Sequence, residues 1–139
     1  MTPSSEADDR DGIHQMMAAY NVALNGGKTA AILPLYTQDG VFMAPYSGPN
    51  IGIEAVRSAY DKVFQELAFD VRFDIEELVL LSPANAYVRT NSAGTTRHTS
   101  TGKTSSEANQ ELFILRKEMD DAWRIARYSF SPTNPPAVG

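Results

Sequence analysis

Arg89, Asn91 and Glu111 are polar residues inside segments that otherwise read as strands. Turned into an apolar pocket, and joined by Gln110, they would supply the few hydrogen-bonding groups that orient a small polar ligand. Turned outward, they would be solvated side chains on an exposed face or at a dimer rim. Tyr20 and Tyr60 lie on the apolar stripes of two predicted helices, where a phenol ring packs and its hydroxyl needs a partner. Met16 and Met43 are suited to lining a pocket mouth, because thioethers adapt to varied apolar shapes; Met17 reads as core and Met119 as turn. Trp123 opens the last strand and reads as structural. Asp39 follows the second predicted helix, where a carboxylate can hold a turn through backbone amides.

Other chemistries lack their residues. His14 and His98 are far apart and have no carboxylates at ligand spacing, so no metal site and no cofactor is expected. No serine stands in a G-x-S-x-G context. Gly26-Gly27-Lys28-Thr29 lacks the strand and the spacing of a phosphate-binding loop.

The 139 residues predict one domain over residues 1–130, with a loose proline-containing tail over 131–139. Hydrophobic residues make up 42% and charged residues 21%, a globular balance. A net charge of −5 disfavours nucleic-acid phosphates. Zero cysteines exclude a disulfide scaffold and a thiol nucleophile. With neither a signal-peptide pattern nor a membrane-length apolar run, the expectation is a cytoplasmic protein that does not engage membrane.

Ile13, Met16, Met17, Tyr20 and Leu24 keep helical spacing, with Ser5 as a cap and Gly26-Gly27 as a stop. A second helix is predicted from Thr29 to about Tyr36, with Pro34 awkwardly inside it. Val41-Phe42-Met43 reads as a short strand. A third helix starts near Gly52 and places Ile53, Val56, Ala59, Tyr60, Val63 and Phe64 on one side. From Phe69 the period becomes two, and a change of parity at Glu76-Glu77 predicts a bulge. Strands follow at about Ala86–Arg97, Thr104–Lys117 and Trp123–Phe130. The fold class is therefore α+β: a bent, mostly antiparallel sheet covered by three N-terminal helices. Leu112, Phe113, Ile114 and Leu115 are apolar in succession, so both faces of that strand want cover, which predicts a homodimer through the sheet.

Asn25-Gly26-Gly27, Leu35-Tyr36-Thr37-Gln38-Asp39, Pro45 and Gly52-Ile53-Glu54 keep the spacing of the bacterial ketosteroid isomerases. The chain thus resembles the nuclear transport factor 2-like superfamily, and within it the SnoaL-like and ketosteroid-isomerase-like proteins. The segment from Glu111 to Lys117, with Trp123 to Phe130, resembles a branch with members near enediyne-type biosynthetic genes. The resemblance implies a cone-shaped fold with an apolar pocket at its open end. It places Tyr20 on an oxyanion-hole tyrosine, and Tyr36 and Tyr60 on two tyrosines that hydrogen-bond to it. The position of the usual carboxylate base is Ala44, and that of the partner acid falls near Asn109-Gln110. A methyl group cannot shuttle a proton. Asp39 becomes the reserve acid or base beside Tyr20, with Glu111 or the substrate itself as other sources. The expected ligand contacts are Tyr20, Tyr36, Tyr60, Met16, Met43, Phe64, Arg89, Asn109, Glu111 and Phe113.

The expected function is binding of a small apolar or aromatic molecule whose carbonyl or hydroxyl Tyr20 can reach. If the ligand is turned over, the reaction is isomerisation, cyclisation or dehydration of a polyketide- or steroid-like compound. The alternative is a non-catalytic oligomerisation, interaction or accessory domain, a role this scaffold plays in the association domain of calcium/calmodulin-dependent kinases.

Overall fold

The computed structural model describes residues 5–134. Helix α1 spans Glu6–Gly26: the Ser5 hydroxyl accepts from the Asp8 amide at 3.1 Å, and Gly27 ends the helix at φ 69°. Its buried stripe contains the predicted residues Ile13, Met16, Met17, Tyr20 and Leu24, together with Asp9 and Ala23.

Helix α2 is shorter than its sequence pattern suggested, Thr29–Ile32, and passes into a 3₁₀ turn over Leu33–Leu35. Pro34 lies in the first turn of that segment, where its missing N–H costs no helical bond. The chain is thereby released into strand β1, Tyr36–Met43, and Tyr36 and Asp39 are strand residues. Strand β2 (Asn50–Ile51) precedes helix α3 (Ile53–Glu66), whose predicted stripe faces inward.

Strands β3 (Leu67–Ser82), β4 (Asn85–His98), β5 (Thr104–Lys117) and β6 (Trp123–Pro132) complete one sheet in the order β2-β1-β6-β5-β4-β3. Among the described residues, only the β1–β6 pairing is parallel. The register between β3 and β4 shifts between Ile75 and Glu77, at the predicted parity change. Ser131 and Pro132 belong to β6, not to a loose tail; residues 135–139 lie outside those described.

The sheet curls around α1 without closing. β3 is an edge strand, and α1 seals it with side chains. Asn21 and Asn25 each give an Nδ2 to the Val71 carbonyl at 2.9 Å, and their Oδ1 atoms accept from the Phe73 and Val71 amides at 3.0 Å. Edge groups that would otherwise invite a strand are satisfied within the chain. Along β5, Phe113 and Leu115 point into the core and are fully buried, while Leu112 is exposed on the other face. Among the described residues, no helix is long and apolar enough to cross a membrane.

Candidate functional site

The helices and the concave face of the sheet enclose a cavity of about 80 Å³. Tyr20 and Leu24 come from α1, Phe42 and Ala44 from β1 and its end, and Val63 from α3. The sheet adds Phe69, Val71 and Phe73 on β3, Ser92 on β4, Glu107, Asn109 and Glu111 on β5, and Tyr128 and Phe130 on β6. Drug-sized ligands usually occupy ~300–1,000 Å³, so this space takes a small molecule or one end of a larger one.

At the deep wall, three phenols from three elements form a chain. The Tyr36 and Tyr60 hydroxyls are 2.8 Å apart, and those of Tyr60 and Tyr20 are 2.7 Å apart. Either hydroxyl of each pair can be the donor; with donations from Tyr36 to Tyr60 to Tyr20, the Tyr20 hydrogen can turn to the cavity or to the neighbouring Tyr128 hydroxyl. Burial, then the neighbouring Tyr60, pushes the Tyr20 hydroxyl well above the ordinary phenol range, so it stays protonated and remains a donor. Tyr36 and Tyr60 are raised for the same leading reason. The Tyr20 ring is fixed edge-on against Phe73, Phe113 and Tyr128, with centroids 5.5–5.7 Å away.

A second wall carries acids. The β4–β5 register sets Thr90 opposite Glu111 and Ser92 opposite Asn109. The Glu111 carboxylate therefore accepts from the Thr90 hydroxyl at 2.6 Å and the Ser92 hydroxyl at 2.5 Å, and the residue is only 3% exposed. Burial raises its pKa, the two hydroxyl donors oppose that rise, and Glu107 adds to it. Half-buried Glu107 accepts from the Thr96 hydroxyl and, at 3.3 Å, from the Asn109 amide; burial raises it too. Neither acid forms a salt bridge among the described residues.

Of the sequence candidates, Tyr20, Asn109 and Glu111 line this cavity. Tyr36 and Tyr60 support Tyr20 from behind it. Phe64 packs on Tyr60 and Phe69, and Phe113 stacks on Tyr128 at 4.1 Å; both form a layer beneath the lining. Met16 is buried in the core and Met43 is half-buried at the end of β1, neither among the lining residues.

Arg89 stands on the opposite sheet face, paired with Glu77 at 3.3 Å. Asn91 and Gln110 face outward with it. Asp39 lies outside the cavity as well: its carboxylate pairs with Arg116 at 3.0 Å and is held down to about 2, chiefly by that hydrogen bond. No group of three or more metal-ligating side chains occurs among the described residues, His14 and His98 included.

Glu107, Ser92, Tyr128 and Phe130 were not singled out in the sequence, and Thr90 behind them was not either. Strand periodicity carries the signal, since an inward Asn109 places residues 107 and 111 on the same face. Ala44 lines the cavity as the sequence suggested, and offers it only a methyl group.

The model of the SnoaL-like domain family matches residues 8–127. No curated protein matches the chain. Among solved structures, a ketosteroid isomerase-like protein from Erwinia carotovora atroseptica SCRI1043 is 35% identical, covers 90% of this chain and 96% of its own, and superposes with a TM-score of 0.86. A conserved protein from Planctomyces limnophilus DSM 3776 is 25% identical over 89% of this chain and 97% of its own, with a TM-score of 0.79. A nuclear transport factor 2-like superfamily protein from Salmonella enterica serovar Typhimurium LT2 shares the fold at 14% identity, covering 97% of this chain and 98% of its own, with a TM-score of 0.82.

Proposed function

The chain belongs to the SnoaL-like domain family, and we propose that it binds a small molecule in this cavity and moves a proton on it. The observation that carries the reading is the hydroxyl chain Tyr36–Tyr60–Tyr20, which ends at an apolar space whose other wall holds Glu111. Tyr20 donates to a ligand carbonyl or hydroxyl oxygen, and the donation strengthens as that oxygen gains negative charge. Glu111, with Glu107 beside it, takes the acid/base role for which Ala44 has no group.

In an isomerisation, the carboxylate removes a proton from the carbon between a ligand carbonyl and a carbon–carbon double bond. The bonding pair moves toward the oxygen held by Tyr20, and the carboxyl group returns the proton at another carbon. No oxidant or co-reactant is needed. Cyclisation and dehydration of a carbonyl compound use the same two groups. The cavity volume suits one ring or a short chain, so a polyketide- or steroid-like ligand would insert only its reacting end.

The protein acts as a homodimer joined through the outer sheet face, where half-buried Ile114, Tyr87 and Val79 stand in one cross-strand row and exposed Leu112 precedes Ile114 on the same face of β5.

Native mass spectrometry followed by denaturing extraction tests the binding reading. A dimer carrying a stoichiometric small organic molecule is expected, and the recovered compound is then assayed for turnover. Tyr20→Phe should lower that turnover by ~10²-fold or more. A large, empty ring or an empty monomer would favour the interaction-domain alternative.

A further inference from the structure

The groups on the acidic wall are hydrogen-bond acceptors. Glu107 and Glu111 face the cavity, and among the described residues no lysine, arginine or histidine lines it. The hydroxyl hydrogens of Thr90 and Ser92 are already committed to Glu111. Asn109 is 7% exposed and gives its Nδ2 to Glu107, while its Oδ1 receives no hydrogen bond from the described residues. This open acceptor, together with two carboxylates that form no salt bridge among the described residues, asks for a donor. Around them stand the rings of Phe42, Phe69, Phe73, Tyr128 and Phe130. Aromatic faces attract cations and offer nothing to anions.

Three ligand charges can be compared. An anion would meet two carboxylates without compensation. A neutral carbonyl would be served by the phenols Tyr20 and Tyr128 and would leave the acceptor wall unpaired. A protonated amine would satisfy that wall with charge-assisted hydrogen bonds and relieve the cost of burying the carboxylates.

Resting on the reading that this cavity binds a small molecule, we propose that the ligand is an organic cation: a primary or secondary ammonium held between Glu107 and Glu111 against the aromatic wall. Its carbonyl or hydroxyl reaches Tyr20. Glu107 and Asn109 also line an outer groove of about 350 Å³ with Thr96, His98, Ser105 and Ser106. The part of the ligand too large for the inner space leaves by that groove.

The test compares isobutylamine with isobutanol, a neutral molecule with the same number of heavy atoms, by NMR titration of the intact protein at neutral pH. The amine should bind ~10-fold or more tightly than the alcohol. Glu111→Gln and Glu107→Gln should each erase most of that preference, because the amide that replaces either carboxylate carries no charge to meet the ammonium. A well-dispersed amide spectrum shows that a variant is folded, and either variant alone suffices if the other does not fold. Equal affinities in the wild type, or an amine preference that survives both substitutions, would overturn the cation while leaving the binding cavity standing. Failure of both compounds to bind would overturn both readings.

Discussion

Glu111 couples the site to pH. Its folded pKa is raised above the ordinary carboxyl value, first by burial. Between that ordinary value, ~4.3, and the raised one, the native protein binds more protons than the unfolded chain. Stability therefore falls as pH rises through this window and stays lower above it. Glu111→Gln carries no such proton. Urea denaturation from about pH 4 to about pH 7.5 should show a smaller loss in the variant than in the wild type, and parallel curves would refute the coupling. Asp39 and Asp120, both held down to about 2 by hydrogen bonds from Arg116 and Arg124, act in the opposite sense at lower pH. They are common to both proteins and cancel in the comparison.

Tyr20 and Tyr60 were legible because helical stripes announce which side chains turn inward. Glu107 was not, because a register uncertain by one residue exchanges the two faces of a strand. Asp39 was misleading for another reason: its partner Arg116 is distant in sequence, and no local pattern reports that ion pair.

At the scale of elements, the cone depends on how α1 meets the edge of β3. Asn25 both donates to the Val71 carbonyl and accepts from its amide, so Asn25→Ala removes two part-buried hydrogen bonds and should cost ~1–3 kcal/mol in chemical denaturation. A loss below a few tenths of a kcal/mol would mean that water replaces the side chain. At Gly94 the facing strand leaves no room for a side chain. A Cβ there would run into the Asp70 carbonyl oxygen and lie 2.7 Å from the Val71 Cα, at a φ of 156°. Gly94→Ala should destabilise by ~3 kcal/mol or more, because both obstacles are backbone; a near-neutral variant would show that the strands part easily.

The bulge at Ile75–Glu77 was legible as a change of parity. The early end of α2 was legible only in part, because Pro34 permits either a kinked helix or a fresh 3₁₀ turn. Packing of Tyr36 against Tyr60 accompanies the second outcome.

For the whole molecule, helices cover one face of the sheet and leave Leu112 exposed on the other. The run from Leu112 to Leu115 predicted cover on both faces, the second from a partner subunit; in the single chain Phe113 and Leu115 are buried and Leu112 is exposed. Size-exclusion chromatography with light scattering should give a dimer for the wild type and a monomer for Leu112→Glu, which sets a charge at the exposed leucine of that face. Identical masses would place any interface elsewhere.

Whether Tyr20 serves an oxygen bound in the cavity is measured most directly by ligand-observed NMR with cyclohexanone, a neutral seven-heavy-atom carbonyl compound. Wild-type protein should bind it, and Tyr20→Phe should bind it up to ~10-fold more weakly, since the substitution removes one buried hydrogen-bond donor. Equal affinities, or no binding by the wild type, would contradict the assignment of this cavity as the site.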